Sequence, residues 1–224
     1  MPRIPRGLSI VALVVAAGVV CPAVDVGTGA PTEALSAAFL RAFFRNAFPN
    51  KVTLPPLNDV TRFGSAGLIQ EFRDATQSGS RHALVKANLR TNAEDLVYQV
   101  LAGMHSYYTS VGVNTAGYPV NDTQDCPAFE GNTCQYQFFS LNHVLFVYST
   151  PTFNGQNFLI RDPFYTRWLA LSGLDFVGPG RPADIERAAT VGGVNATVQV
   201  YASAALYNIT SGTQTGRLLA VTQP

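Results

Sequence analysis

The sequence predicts an α+β fold of about three helix-turn-hairpin repeats, roughly 60 residues each, around a shared core and behind an N-terminal helix. Three observations predict it. An apolar residue followed four positions later by an aromatic recurs at Leu40/Phe44, Met104/Tyr108 and Phe164/Trp168, and the aromatic anchors lie 64 and 60 residues apart. A proline-bearing turn comes next each time: Pro55-Pro56, Gly117-Tyr118-Pro119, and Gly178 to Pro182. A Gln-x-aromatic strand signal then follows at Gln70, Gln137 and Gln199. One such piece cannot bury both of its faces, so three must pack together.

The elements follow in chain order. Arg3 and Arg6 precede the thirteen-residue apolar run Leu8 to Val20, which matches an export signal and falls short of the ~20 residues that cross a bilayer. Small residues at Cys21 and Ala23 place a cut after Ala23, so residues 1–23 are read as a signal peptide and 24–224 as a single repeat-built domain, with units 32–90, 96–160 and 161–222. A lipoprotein anchored through Cys21 is the rival reading, disfavoured by the bulky Val19 and Val20. Thr32 to Phe48 carries Leu35, Phe39, Ala42, Phe43 and Ala47 at helical spacing and is expected to lie across the units as a lid. The second unit reads as strand 96–100, helix 103–110 and strands 135–139 and 144–148. In the third, Asp162 caps a helix that opens at Pro163 and ends before Gly173, followed by strand 196–202, a turn at 208–212 and a return strand 218–221.

Composition narrows the partners. The chain has 224 residues, 47% hydrophobic and 13% charged, with a net charge of +1. Removing Arg3 and Arg6 leaves thirteen basic against fourteen acidic residues, or −1. So balanced a charge argues against nucleic acid, and only two lysines, Lys51 and Lys86, argue against a polybasic membrane patch. No segment after the signal is long and apolar enough to anchor the chain. Cys126 and Cys134 then remain as an even pair in an oxidising compartment and are expected to form a disulfide.

The order Gly103-Met104, Tyr108, Gly112, Gly117-Tyr118-Pro119, Asp122, Gln137-Phe138-Phe139 resembles the LGFP repeat of secreted and cell-wall-associated proteins. Phe164, Trp168, Gly173, Gly178 to Pro182, Gln199 and Tyr201 match again, so the resemblance covers about 97–221 and fits the first unit poorly. Ala116 and Val177 stand where the family has Leu, and the third unit lacks an acid at the Asp122 position. The resemblance implies an extracytoplasmic module that attaches to, or stabilises, an envelope polysaccharide.

No catalytic motif accompanies it. Gly-x-Ser-x-Gly is absent, and His82, His105 and His143 lack the close spacing of paired metal ligands, so no metal or other cofactor is expected. Asn121, Asp122, Asp125, Glu130 and Asn132 carry oxygens suited to Ca²⁺ without EF-hand spacing, and are read as solvated turn residues. Trp168 is assigned to the core. Gln137 and Gln199 are assigned to satisfying turn backbone. Tyr107, Tyr118, Asp122 and Arg181 are the candidate ligand contacts, Tyr118 and Arg181 among them because they lie in turns, which present side chains outward. The function expected is a non-catalytic exported module that binds an envelope or extracellular polysaccharide. A self-assembling subunit of an extracellular filament or surface layer is the first alternative, and a carboxylate-dependent glycoside hydrolase the second.

Overall fold

The structure, a computed structural model, describes residues 32–45, 56–73, 79–87, 96–127, 133–149, 156–173 and 178–222. The expected signal at 1–23, with Cys21, lies outside them. Three antiparallel sheets of four strands dominate. Helix α1 (Thr32–Arg45) precedes sheet 1, built from β1 (Thr61–Phe63), β2 (Gly67–Arg73), β3 (Arg81–Lys86) and β4 (Val97–Val100). Helices α2 (Ala102–Val111) and α3 (Val113–Ala116) precede sheet 2, with β5 (Gln124–Asp125), β6 (Cys134–Phe139), β7 (His143–Tyr148) and β8 (Asn157–Arg161). Helix α4 (Phe164–Ala170) precedes sheet 3, with β9 (Arg187–Val191), β10 (Val194–Val200), β11 (Ala204–Ile209) and β12 (Leu218–Thr222).

This corrects the expected α+β fold of helix-turn-hairpin units around a shared core. The molecule is mostly β, and its helices among the described residues are four and short. Its buried apolar residues also form three clusters in series. Phe39 and Ala42 of α1 pack with Leu68, Phe72 and Leu84 on one face of sheet 1. Ile69, Ala83 and Val85 on the other face pack with Met104 and Tyr108 of α2 and with Phe139 and Leu145 of sheet 2. Tyr136, Val144 and Phe146 on the far face of sheet 2 pack with Phe164 and Trp168 of α4 and with Tyr201 and Leu206 of sheet 3. A strand shows alternate residues to opposite faces, so a sheet apolar on both needs cover on both, and a helix supplies it from each side. Helix α1 is therefore no lid: it packs on sheet 1. Strand β4, expected in the second unit, completes sheet 1 by pairing with β3.

One local device recurs in all three sheets. Pro56, Pro119 and Pro182 stand 63 residues apart and bridge Phe72, Phe139 and Tyr201. The next residue, Leu57, Val120 or Ala183, donates its N–H to Glu71, Phe138 or Val200 at 2.8, 3.0 and 2.9 Å. The carbonyl after that, of Asn58, Asn121 or Asp184, accepts from the carboxamide of buried Gln70, Gln137 or Gln199. Proline fits the first position because an edge there asks for no donor, and a buried carboxamide must find partners, which the turn carbonyl supplies. Anchor rings hold the last two turns from above. The Tyr108 hydroxyl donates to Gly117 O at 2.6 Å and Trp168 Nε1 to Gly180 O at 2.8 Å. Both glycines have positive φ, 85° and 76°, a conformation that Cβ disfavours.

Candidate functional site

The structure draws the expected ligand contacts inward. Tyr107 lies half-buried against the cluster between sheets 1 and 2, where burial pushes its phenol up to about 12. Tyr118 plugs sheet 1: its hydroxyl accepts from Ala66 N and donates to Phe63 O, both at 2.9 Å. Its ring fills the space beside Gly67, where an added Cβ would stand 2.1 Å from Cε1. Asp122 Oδ1 accepts the N–H of Gln99 on β4 at 2.7 Å. Arg181 is buried, and Nη2 donates to the carbonyl of Pro127. The positive φ of Gly180, held under Trp168, turns Arg181 inward and reverses the outward orientation expected of it.

The neighbouring turn residues are engaged as well. Cys126 and Cys134 form the expected disulfide, with Cα atoms 5.2 Å apart, which pins the loop that Arg181 clasps. Asn121 Oδ1 accepts Phe138 N at 2.8 Å, and Asp125 Oδ1 accepts from Gln135 at 3.2 Å. Glu130 and Asn132 lie outside the described residues, among which no group of three or more His, Cys, Asp or Glu converges as a metal site. Asp162 binds Thr166 N and Oγ1 and Asn142 Nδ2, but the helix opens at Phe164, one residue later than expected, so Pro163 holds the N-cap position and Asp162 stands just before it. Burial pushes its carboxyl up, and these hydrogen bonds outweigh that and hold it below its ordinary value. Gln137 and Gln199 do serve the turns, as expected, and Trp168 is fully buried.

A different group of polar side chains gathers at the end of sheet 1 that faces α2. Glu71 sits on β2, with Arg81 Nη1 at 3.2 Å and Asn58 Nδ2 at 2.8 Å from Oε2, and His105 Nε2 of α2 at 3.4 Å from Oε1. Burial lowers the imidazole below its ordinary 6.5, against an opposing pull from Glu71, while Arg81 and His82 add to the lowering. Arg73 is exposed and stands directly opposite Arg81 in the β2–β3 register. The two guanidinium groups share the face that carries Glu71, because positions 71, 73 and 81 have the same strand parity. Like charges directly opposite destabilise an antiparallel pair. Glu71 offsets Arg81, whereas Arg73 makes no ion pair among the described residues.

Sequence reasoning missed this cluster. Glu71 lies in the expected strand signal at Gln70, but Arg73 ends the observed β2 and Arg81 opens the observed β3, and only the register sets them side by side. The chain matches no protein-family model, no curated protein and no solved structure.

Proposed function

We propose that the chain is a non-catalytic exported module that binds an envelope or extracellular polysaccharide, with acidic sugar units held at the Arg73/Arg81 end of sheet 1. One observation carries this reading: two cross-strand arginines, one half-exposed and paired to Glu71, the other exposed and without an ion pair among the described residues, leave a place where an anion relieves their repulsion. A guanidinium matches a carboxylate in a planar, two-bonded geometry, and Asn58 and His105 add hydrogen-bonding groups close by. The export signal read at 1–23, the disulfide and the LGFP-like order over 97–221 support an extracytoplasmic setting. Asp122 accepts a backbone N–H and Asp162 binds the Thr166 backbone and two neighbouring side chains, which favours binding over carboxylate catalysis.

Retention on immobilised acidic and neutral polysaccharides tests this. The wild-type chain is expected to be held by the acidic polymer, and Arg73→Gln to weaken retention about tenfold, the worth of one good charge-assisted contact. Tyr118→Phe should leave retention unchanged. Equal retention of wild type and Arg73→Gln would overturn the assignment of the site.

A further inference from the structure

Glu71 and Phe138 hold the same place in sheets 1 and 2. Each follows the glutamine that serves its turn, Gln70 or Gln137, and those glutamines lie across from Leu84 and Leu145. His105 and Tyr165 correspond in the same way, each three positions before the anchor ring, Tyr108 or Trp168. In the second place two rings meet edge-on at 6.2 Å, and no charge is involved. In the first a carboxylate meets an imidazole, with Glu71 Oε1 at 3.4 Å from His105 Nε2. The layered plan is satisfied by rings, so the titratable pair in the first place calls for a separate account.

His105 is only 6% exposed, and its Nε2 makes no hydrogen bond among the described residues although a carboxylate oxygen lies 3.4 Å away. The helix fixes the ring there: His105 N donates to Leu101 O at 2.7 Å, and Met104 and Tyr108 of α2 are fully buried. A proton on Nε2 turns the contact into a charge-assisted hydrogen bond to Oε1. The other oxygen of Glu71, Oε2, takes Arg81 Nη1 at 3.2 Å and Asn58 Nδ2 at 2.8 Å. One carboxylate is thus shared between a permanent cation and an imidazole that becomes a cation in acid. The charged and titratable groups that bear on the imidazole are Glu71 of β2 and Arg81 and His82 of β3, while sheet 2 brings the apolar Phe139 and Leu145 against α2. Arg73 stands across from Arg81 at the exposed end of the same face.

We propose that His105 makes anion binding at the Arg73/Arg81 pair acid-responsive, the site taking up a proton at Nε2 as it takes up a carboxylate or sulfate group. The inference rests on the anion site of the polysaccharide reading and adds its regulation. With the imidazole neutral, two arginines less one carboxylate present a single net positive charge to an incoming anion. With the imidazole charged, Glu71 is drawn through Oε1 and its hold on Arg81 is divided, so the four groups present two. Burial keeps the imidazole neutral at neutral pH and lets the proton on only below its ordinary 6.5. Anion affinity therefore rises as the pH falls through that range. By reciprocity, anion and proton each strengthen the other's binding by the same factor.

Inorganic sulfate, whose charge is constant over the range, serves as the probe, added to the full chain against chloride at matched ionic strength. The His105 ring signals are followed by NMR at pH values where the amide spectrum stays that of the folded chain. Saturating sulfate is expected to move the His105 midpoint upward. Sulfate affinity, read from the Arg73 and Arg81 amides, should rise about three- to tenfold between about pH 7.5 and 5.5. His105→Gln should flatten that rise, and Arg73→Gln should leave the His105 midpoint unmoved by sulfate. The midpoint is read on the unaltered chain, so the test stands even where a variant does not fold. A wild-type midpoint that sulfate leaves in place would overturn the proposal. So would an equal rise in His105→Gln, or a midpoint that still follows sulfate in Arg73→Gln. The polysaccharide reading fails on a different result, the loss of retention on acidic polymer by a chain whose midpoint does follow sulfate. Retention with an unmoved midpoint keeps that reading and removes this one.

Discussion

The seam between sheets 1 and 2 and the seam between sheets 2 and 3 join comparable layers by different chemistry. The first is polar: Glu71 with His105, Asp122 and Thr123 on the β4 backbone, and the Tyr118 hydroxyl on Phe63 and Ala66. The second is aromatic. Trp168 stands edge-on to Phe146 at 5.8 Å and near Phe138 at 6.4 Å, Tyr165 joins them, and the polar links among the described residues include Tyr148 to Pro182 O, Arg161 to Glu186 and Arg181 to Pro127 O. Ring burial is non-directional and large, while hydrogen bonds contribute little net but cost much when broken inside. The same layered plan is thus held by area in one place and by satisfaction of polar groups in the other.

The largest break should come at the aromatic seam. Trp168→Ala removes a fully buried indole and its bond to Gly180, and is expected to cost about 3–5 kcal/mol in a urea titration. A cost under about 1 kcal/mol would show that α4 does not join sheets 2 and 3. A smaller effect separates the glutamines that serve the turns. Gln137 donates to Asn121 O and Gln99 O, and its Oε1 accepts from Thr123, whereas Gln199 binds Asp184 O and its Oε1 has no hydrogen-bond partner among the described residues. Gln137→Ala should therefore cost about 2–3 kcal/mol and Gln199→Ala about 1, and equal losses would erase the distinction between the seams.

The smallest effect is one of pH. His105 is held below 6.5 by burial, so below that value the unfolded chain binds a proton that the folded one refuses. Stability conferred by the neutral imidazole is then complete above about pH 6.5 and declines as the pH falls. His143, also lowered by burial, acts in the same direction. The urea midpoint should fall between pH 7.5 and pH 5, and His105→Gln should shrink the fall without abolishing it. An unchanged pH dependence would place the proton uptake elsewhere.

Much of the strand structure was legible because it rests on local pattern. Gln-x-aromatic runs bounded by Gly and Pro marked β6, β10 and part of β2, and Asn208 to Gly212 marked the turn before β12. The edge strands β1, β5, β8 and β9 escaped: short and largely exposed or alternating, they read as loop until a neighbour's backbone pairs with them. Membership was equally hidden, since β4 is as good a strand in either sheet and only its pairing with β3 decides. Arg181 misled for a related reason, because a turn presents its side chain outward only when nothing above it folds the turn under.

Local sequence determined much of where the chain turns and which residues are strand-like, and that Gln137 and Gln199 would serve their turns. Tertiary structure decided which strands share a sheet, that the layers stand in series instead of closing on one core, and which polar groups meet. Turn and strand preferences are set by a residue and its near neighbours. Register and seam contacts join residues tens of positions apart, and their free energy exists only once the layers have met.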